Sequence, residues 1–356
     1  MVYSLSSGGA ERSTAILSRM LVDSGYEVTI ISIVDEIIFE YKGNLVNLGK
    51  LTLEKRGVFK RLKKFRYTYN VFKKENFDYV IDARTRPGWL KQWITTMFIY
   101  RALPIVYMVH NYNLKSYFPD NRWLARSLYK KAYKLAGVSK AAVTHFKQKY
   151  GLNNGICIYN AFDEGHWNTL SQAKIELPER PYILSYGRIV DESKNYSFLI
   201  RTYASSKLPS KGIKLWILGE GPDKKKIQNL VKEYDIESSV VFKNFSENPF
   251  PYVRNALFTT LTSNYEGFPM VLIESLAMGT PVVSVDCNSG PSEVIVTGEN
   301  GILVPYKNEN EFINSLNKMV TDVGFYKKCK EGSISSVSKF RIQNITPQWQ
   351  AILPPK

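Results

Sequence analysis

Two carboxylates, Glu266 and Glu274, flank the predicted start of a helix and are the groups in this 356-residue chain best suited to chemistry. The first lies in a loop with a glycine and a proline, and the second lies in an apolar segment predicted to be helical from about Met270 to a stop at Gly279. The start of such a helix presents unpaired N–H groups and a positive dipole end, which suit a phosphate. A carboxylate within an apolar helix is costly unless donors such as sugar hydroxyls hydrogen-bond it. The alternative is an ordinary solvent-facing glutamate, the commoner case for a lone residue of this type.

Two cations precede this helix, in the segment Tyr186-Gly-Arg-Ile-Val-Asp-Glu-Ser-Lys-Asn195. Cations placed in advance beside a leaving group stabilise the negative charge that develops on it, most strongly in the transition state. Arg188 supplies a planar fork of donors, and Lys194 supplies a compact point charge. Solvated surface groups are the alternative interpretation of both side chains. Because the chain has no DxD motif and its His and Cys residues form no ligand pattern, we expect no metal and no cofactor.

The first half of the chain carries two weaker candidate positions. Gly8 and Gly9 follow a short apolar segment and open a predicted helix, so the backbone there can approach a ligand closely. The pattern is not GxGxxG and therefore gives no support to a dinucleotide-binding fingerprint. His110 ends a predicted strand, at the sheet edge where ligands bind in α/β folds. A histidine in that place more often makes local hydrogen bonds than takes part in catalysis.

Short β-branched or aromatic runs alternate with helical periodicity along the whole chain, which predicts an α/β fold. Several runs are almost wholly apolar, as strands buried on both faces of a parallel sheet must be. The predicted strands are Met1–Leu5, Glu27–Ile33, Leu45–Leu48, Tyr79–Asp82, Pro104–His110, Leu135–Val138, Gly155–Tyr159, Tyr182–Tyr186, Lys214–Leu218, Val240–Phe242, Ala256–Leu261, Pro281–Val285 and Gly301–Val304. A polar, unpatterned stretch from Asp163 to Arg180 predicts a boundary between two doubly wound parallel-sheet domains. We expect these domains to leave a ligand-binding cleft between the carboxyl ends of their strands.

Three runs, EGFPMVLIESLAMGTPVV, SVDCNSGPSEVI and GENGILVP, resemble the C-terminal domain of the family 4 retaining glycosyltransferases, which have the GT-B fold of two Rossmann-like domains. Glu266 and Glu274 match that family's Glu-x7-Glu motif. The resemblance implies that the first lies beside the donor sugar and that the second binds the ribose. It further implies that the intervening residues hold the sugar and diphosphate, chiefly through backbone amides: Gly267, Phe268, Pro269, Met270, Val271 and Leu272.

Other segments of the chain are similar to the family in the same order. Arg188 and Lys194 match the family's diphosphate clamp, and the GGAER sequence that begins with Gly8 and Gly9 resembles a loop bordering the donor phosphate and the acceptor. His110 falls where the family places a histidine near the donor sugar, which completes an implied catalytic set of His110, Glu266, Arg188 and Lys194. The run Lys339–Leu353 resembles terminal helices that cross back to the first domain. The implied domains are therefore 1–163 with helices over 339–356, and 164–338.

The resemblance implies a metal-independent hexosyltransferase that moves a sugar from a nucleotide-sugar donor to a saccharide acceptor with retention of configuration. Similar enzymes build bacterial surface polysaccharides such as lipopolysaccharide, O-antigen and capsule, which favours a lipid-linked acceptor and a UDP-sugar over a GDP-sugar. The implied mechanism is front-face attack by the acceptor hydroxyl, assisted by the leaving phosphate oxygen. Both glutamates then bind the donor, and neither is the nucleophile. A non-catalytic subunit of the same fold is the alternative.

The net charge of +16 requires an anionic partner, and residues 1–173 contribute +13 of it. Within them, Lys55–Lys74 is predicted to form a basic helix with one apolar face, made of Phe59, Leu62, Phe65, Tyr69 and Phe72. The functional interpretation is attachment to an anionic membrane surface, and the alternative is a crossover helix whose basic face is merely solvated. Nucleic acid is not expected as a partner, because the aromatic residues form no stacking platform.

The chain lacks an apolar stretch of membrane-spanning length, since the best candidate, Trp93–Val109, is broken by Arg101 and Pro104. Glycines arrive before any signal-peptide core could form. The three cysteines are far apart, as in proteins of a reducing compartment. We therefore expect a cytoplasmic protein, peripheral on the inner face of the cytoplasmic membrane. The first predicted strand has barely five residues, so either the true start lies upstream or this strand is short.

Overall fold

The computed structural model describes residues 1–6, 8–53, 57–176, 179 and 181–354, and these form two compact units. Unit 1 comprises Met1–Ala161 with Ile342–Lys356, and unit 2 comprises Phe162–Arg341. Each unit combines parallel strands with helices, which confirms the predicted α/β class. The start of the predicted basic helix, Lys55, and part of the predicted boundary stretch, at 177–178 and 180, lie outside the described residues.

The secondary structure alternates strands and helices along both units. The helices are α1 (Gly9–Asp23), α2 (Gly57–Lys74), α3 (Trp89–Ile94), α4 (Arg122–Tyr129), α5 (Lys140–Tyr150), α6 (Glu164–Leu170), α7 (Asp191–Lys194), α8 (Tyr196–Ala204), α9 (Lys224–Glu233), α10 (Phe250–Asn255), α11 (Met270–Ala277), α12 (Pro291–Val294), α13 (Glu309–Thr321), α14 (Val323–Ser336) and α15 (Ile342–Ile352). The strands are β1 (Thr29–Ser32), β2 (Asn44–Asn47), β3 (Val80–Asp82), β4 (Ile105–Val109), β5 (Lys134–Gly137), β6 (Gly155–Cys157), β7 (Tyr182–Tyr186), β8 (Lys214–Leu218), β9 (Val240–Lys243), β10 (Thr259–Leu261), β11 (Val282–Asp286) and β12 (Gly301–Pro305). A π-helical segment over Thr95–Tyr100 continues α3.

Unit 2 contains a six-stranded parallel sheet in the order β12-β11-β10-β7-β8-β9. Its core is made of side chains that the strands share with the surrounding helices, among them Ile183, Leu215, Ile217, Phe258, Val283 and Val304. Counted within the unit, the strand order is 3-2-1-4-5-6, that of a doubly wound Rossmann sheet. The order reverses between β7 and β10. Ligands of such sheets bind beyond the carboxyl ends of the strands at this reversal, so the loops after β7 and β10 are the expected site.

Unit 1 contains a four-stranded parallel sheet, β3-β4-β5-β6, and a two-stranded parallel sheet, β1-β2. The N-terminal residues run between the two sheets. The Met1 amine donates to the carbonyl of Ile81 in β3 at 2.8 Å, and the Val2 N–H donates to the carbonyl of Ile31 in β1 at 3.0 Å. The segment therefore links the sheets, and the strand order of unit 1 also reverses here, between this segment and β3.

The prediction of a regular strand over Met1–Leu5 is wrong. Within it, only isolated parallel bridges form, from Val2 to Ser32 and from Leu5 to Ile37. The reason is that the chain turns into the Gly8 loop after so few residues that a run of consecutive ladder pairs cannot form. The other predicted strands are present, most of them trimmed at one or both ends.

Only part of the apolar face that the sequence predicts for helix α2 packs against the protein. Phe65 and Phe72 pack against the core of unit 1, whereas Phe59 and Leu62 are exposed. The first half of the helix therefore projects apolar and basic side chains to the outside. At the other end of the chain, α15 belongs to unit 1, where Tyr26 Oη donates to the Leu353 carbonyl at 2.6 Å.

Candidate functional site

Lys194 and Glu266 form an ion pair where the loops after β7 and β10 meet. Lys194 ends α7, and its Nζ lies 2.6 Å from Oε1 of Glu266. The Ser263 hydroxyl donates to the same carboxylate oxygen at 2.6 Å. The carboxylate is buried, so both donors offset the cost of removing its charge from water. Two of the residues predicted to act in catalysis are thus in direct contact at the reversal of strand order.

Asn264 fastens α7 to the loop that carries Glu266. Its backbone N–H donates to the Ser193 carbonyl at 2.8 Å, and its side-chain Nδ2 donates to the Glu192 carbonyl at 2.7 Å. Its Oδ1 accepts a hydrogen bond from the Tyr306 hydroxyl at 2.8 Å. Sequence reasoning missed this residue, because nothing in its type or spacing shows which backbone carbonyls it would reach.

Helix α11 begins at Met270, after Pro269, and ends before Gly279, which adopts a φ of +73°. This confirms the predicted helix and its glycine stop. Among the described residues, no side chain caps its first turn, so the backbone N–H groups at that end can bind an anion. The side chains of Phe268, Pro269, Met270 and Leu272 are buried. Any contact that this loop makes with a ligand therefore comes mainly from its backbone.

Glu274 is only 5 % exposed, so the alternative in which it faces solvent is wrong. The Tyr186 hydroxyl, at the end of β7, lies 3.0 Å from its Oε2 and 2.9 Å from the Val271 carbonyl. The hydroxyl has a single proton to share between these acceptors. The carboxylate is thereby oriented within an apolar helix, beside the first strand of the sheet. Tyr186 is part of the segment that the sequence singles out, but its role becomes visible only in three dimensions.

Close backbone packing shapes the loop that carries Arg188. A Cβ atom at Gly219 would lie 1.9 Å from the Gly187 carbonyl oxygen, and one at Gly221 would lie 2.1 Å from the Ile189 carbonyl oxygen. Only glycine fits at these two positions, so the turn after β8 seats directly against the loop after β7. Arg188 is exposed there and forms no ion pair with any described residue. Its guanidinium can therefore meet an anionic ligand.

In unit 1, the N-terminal segment and the first turns of α1 line a small cavity. Gly8 has a φ of +106°, a conformation that favours glycine, and α1 begins directly after it. The cavity has a volume of about 130 Å³ and is lined in part by Ser4, Glu11, Thr14, Arg84 and Tyr117. Burial raises the pKa of Glu11. The predicted positions Gly8 and Gly9 thus lie at the reversal point of the unit 1 strand order.

His110 follows β4 and is buried. Neither of its ring nitrogens has a hydrogen-bond partner among the described residues. Burial, together with the positive charge of Arg86, lowers its pKa to about 4, so the ring is neutral at pH 7. A neutral imidazole offers one donor and one acceptor. It can therefore hydrogen-bond a hydroxyl group without bringing a charge.

A buried charge cluster follows β3, and the sequence analysis missed it. Arg84 binds Asp82 through two hydrogen bonds of 2.8 and 2.7 Å, and the Tyr100 hydroxyl donates to the same carboxylate at 2.8 Å. Arg86 is buried beside them and donates to the Met108 carbonyl at 3.0 Å. These contacts hold the pKa of Asp82 well below its usual range. The sequence Asp-Ala-Arg-Thr-Arg, which follows an apolar run, could have indicated this cluster. The cluster contains two guanidinium groups and one carboxylate.

Two kinds of feature, a cluster of metal ligands and a membrane-spanning helix, are absent from the described residues. No three His, Cys, Asp or Glu side chains are grouped there as metal ligands would be, and metal independence stays a prediction. No helix in this part of the chain has both the length and the apolar character needed to cross a bilayer.

Comparisons with known proteins identify the family of the chain. Residues 7–165 match the family described as Glycosyltransferase Family 4, and residues 168–335 match the one described as Glycosyl transferases group 1. The N-acetylgalactosamine-N,N'-diacetylbacillosaminyl-diphospho-undecaprenol 4-alpha-N-acetylgalactosaminyltransferase of Campylobacter jejuni is 32% identical over 335 residues, covering 90% of this chain and 89% of that protein. The amylovoran biosynthesis glycosyltransferase AmsD of Erwinia amylovora is 24% identical and covers 98% of this chain and 96% of its own length.

Solved structures support the fold. The crystal structure of Anabaena Alr3699/HepE in complex with UDP matches with a TM-score of 0.74 at 19% identity, covering 99% of this chain and 98% of that one. At that identity the likeness shows the fold alone, and it confirms the predicted GT-B architecture of two Rossmann-like parallel-sheet units. Taken with the sequence matches over both halves, it leads to one conclusion: the chain belongs to glycosyltransferase family 4.

Proposed function

We propose that this protein transfers a hexose-type sugar from a nucleotide-sugar donor, with a UDP-sugar favoured over a GDP-sugar, to a saccharide acceptor. The observation that carries the proposal is the contact between Lys194 and Glu266 beside the uncapped start of α11. A cation, a carboxylate and free backbone N–H groups meet there at the reversal of strand order. These are the groups that bind a diphosphate and a sugar hydroxyl.

The donor is proposed to lie along the loops after β7 and β10. Arg188, Lys194 and the start of α11 supply positive charge to the leaving diphosphate, where negative charge grows as the glycosidic bond breaks. Glu274, buried and oriented by Tyr186, accepts hydrogen bonds from the ribose hydroxyls. Glu266 accepts one from the donor sugar, and His110 of unit 1 offers its neutral ring to a sugar hydroxyl. No metal is needed for charge neutralisation in this scheme.

Retention of configuration is part of the proposal. A retaining glycosidase uses one carboxylate as a nucleophile and a second as an acid. Here one oxygen of Glu266 already accepts from Lys194 and Ser263, which lowers its nucleophilicity. Glu274 lies within a helix and is held by Tyr186. We therefore assign both carboxylates to binding and propose that the acceptor hydroxyl attacks from the face the diphosphate leaves.

The acceptor is proposed to be a lipid-linked saccharide of bacterial surface polysaccharide synthesis. The name of the Campylobacter relative describes a substrate carried on diphospho-undecaprenol, and the Erwinia relative is named for amylovoran biosynthesis. Residues 1–173 hold 26 basic and 13 acidic side chains, which suits a unit that works at an anionic membrane surface. The exposed first half of α2 is the proposed point of attachment on the inner face of the cytoplasmic membrane.

The test is a panel of labelled UDP- and GDP-sugars, scored for slow donor hydrolysis without acceptor and for transfer to lipid-linked saccharides. We expect Lys194→Ala and Glu274→Gln to lower turnover by at least about 100-fold, because each removes a charged donor contact from the site. Lys226→Ala is the matched control, since Lys226 is an exposed lysine of α9 that pairs with Asp191 of α7. It is expected to keep wild-type turnover.

Wild-type turnover by either site variant would contradict the assignment of these residues. Binding of UDP without hydrolysis or transfer of any sugar in the panel would instead favour the alternative, a non-catalytic subunit. Transfer with inverted configuration, read from the anomeric coupling of the product by NMR, would overturn retention and leave the donor site intact.

A further inference from the structure

The helix that starts at Trp89 exposes most of its large apolar side chains to solvent. It comprises α3 and the π-helical segment that continues it to Tyr100. Five large apolar side chains of this helix are between 45% and 57% exposed: Trp89, Leu90, Trp93, Met97 and Phe98. We call these five residues the aromatic face. An exposed apolar patch of this kind in a water-facing helix marks an interaction surface.

The opposite side of the same helix is buried, and there the polar residues Gln92 and Thr95 lie on the same helix as the core residues Ile99 and Tyr100. Gln92 Nε2 donates to the Tyr107 hydroxyl at 3.1 Å and to Thr96 Oγ1 at 3.2 Å, and Thr95 Oγ1 donates to the Lys91 carbonyl at 2.8 Å. Turning the apolar side chains inward would break the hydrogen bond between Gln92 and Tyr107 of β4 and leave buried polar groups unpaired. The outward orientation of the aromatic face is therefore fixed by the packing of unit 1.

Positive charge surrounds the aromatic face. The π-helical segment packs against α2. Burial lowers the pKa of Lys91, and the charges of Arg84 and Arg61 lower it further; burial also lowers the pKa of Lys64, and the charges of Lys60 and Lys91 lower it further. The sequence contains no acidic residue between Asp82 and Asp120. The helix and its flanking segments therefore contribute basic but no acidic side chains to this surface.

We propose that the aromatic face inserts into the boundary between headgroups and acyl chains of an anionic bilayer, beside the basic first half of α2. The proposal rests on the membrane attachment put forward under the proposed function, and it adds the segment that enters the lipid. Tryptophan suits this boundary because its ring is apolar and its N–H can reach water. Lysine and arginine at the rim meet lipid phosphates. A membrane partner explains the combination of aromatic, uncharged and basic side chains on one surface.

Tryptophan fluorescence tests insertion directly. Trp89, Trp93 and Trp123 are exposed, whereas the remaining three tryptophans are buried. In a Trp123→Phe protein, the exposed reporters are those of the aromatic face alone. On mixing with vesicles of phosphatidylglycerol and phosphatidylethanolamine, we expect a blue shift of emission and quenching by brominated acyl chains. A protein that binds these vesicles without either change would overturn the proposal and leave electrostatic attachment standing.

A triple variant, Trp89→Ser with Trp93→Ser and Phe98→Ser, measures what insertion contributes. Its vesicle partition coefficient is expected to fall by at least about tenfold, because three large side chains no longer leave water. Tyr234→Ser, which removes an exposed aromatic ring from unit 2, is the matched control and is expected to bind as wild type. Turnover with a soluble acceptor saccharide checks that the triple variant is folded.

The outcomes of these experiments distinguish failure of insertion from failure of membrane attachment itself. If the wild-type protein fails to sediment with anionic vesicles at low salt, membrane attachment itself is wrong. If the triple variant binds vesicles as the wild type does, only insertion of the aromatic face is wrong. If the wild type forms dimers without lipid and the triple variant abolishes them, the aromatic face is an interface with a second copy, and the proposal is overturned.

Discussion

His110 illustrates how burial sets the chemistry of a single side chain. An imidazole in water protonates near pH 6.5, but here burial and the charge of Arg86 hold its pKa at about 4. Its two ring nitrogens lack a partner among the described residues. A buried polar group without a partner costs stability, and a ligand hydroxyl would satisfy it. The residue is thus suited to hydrogen bonding with a substrate rather than to carrying a charge.

The depressed pKa of His110 gives a pH-dependent stability. The unfolded chain takes up this proton near pH 6.5, and the folded chain takes it up only near pH 4. Stability from the neutral ring is therefore complete above about pH 6.5 and is lost as the pH falls toward 4. Urea unfolding of wild type and His110→Asn at pH 7 and pH 5 checks this. The wild type is expected to lose more stability between the two values than the variant, and equal losses would place the histidine in contact with water.

Glu266 and Glu274 mark how far the sequence could define the site at this scale. The helix that begins between them and contains Glu274 could be predicted, because its apolar run and its glycine stop are local patterns. The contacts of Ser263 with Glu266 and of Tyr186 with Glu274 could not, because each depends on how a strand end meets a loop. The buried ion pair of Asp82 and Arg84 was not predicted for another reason, because charged residues at the end of a strand usually belong to a solvated loop.

At the scale of elements, the site depends on how α7 is held against the loop after β10. Three groups of Asn264 hydrogen-bond to neighbours, two of them to backbone carbonyls of α7 and one to the Tyr306 hydroxyl. Helix α7 has four residues and little stability of its own. The position of Lys194 at its end therefore depends on this attachment, together with the hydrogen bond that the Thr262 hydroxyl donates to the Lys194 carbonyl at 3.0 Å.

Asn264 is accordingly expected to be a positioning residue. Asn264→Ala removes the side-chain hydrogen bonds and keeps the backbone one, so Lys194 and Glu266 lose their fixed geometry. We expect kcat to fall by about tenfold or more, with KM for the donor changed less, because misplacement acts mainly on the transition state. Tyr306→Phe removes a single bond and should have a smaller effect in steady-state kinetics. A variant with unchanged kcat and a lower melting temperature would show that Asn264 acts only on stability.

Elements also show where pattern reasoning succeeds and fails. Helix α11 ends at its glycine as predicted, because the stop signal is local. The segment Met1–Leu5 has strand-like residues but forms only isolated bridges, because a ladder needs length as well as propensity. The apolar face of α2 is periodic in sequence, yet only its second half finds a core to pack against.

At the scale of the whole molecule, the net charge is distributed unevenly between the two halves of the chain. Residues 1–173 carry a net charge of +13, and the rest carries +3. In the proposed scheme the second half needs only the cations that bind a diphosphate, and the first half faces a membrane. This predicts that salt weakens vesicle binding strongly and donor hydrolysis only weakly, because surface charges are screened more than partly buried ones.

Metal independence is a prediction about the complete protein and is tested on it. In the proposed scheme, Arg188, Lys194 and the start of α11 supply positive charge to the leaving diphosphate, so no divalent cation is required for that role. Turnover in excess EDTA is expected to stay within about twofold of turnover with Mg²⁺, since the same donor contacts remain. A loss restored by added Mg²⁺ or Mn²⁺ would refute the scheme and point to carboxylates that the proposal leaves out.

The 2.6 Å contact between Lys194 and Glu266 has a consequence for turnover. In the proposed scheme, the carboxylate is the counterion of the lysine before the donor binds, so an arriving diphosphate must compete with it for the ammonium group. That competition would lower the affinity for the donor, and it would also lower the affinity for the spent nucleotide, because Glu266 can pair with Lys194 again after transfer of the sugar. The same ion pair is thus expected to speed release of the nucleotide at the expense of donor affinity.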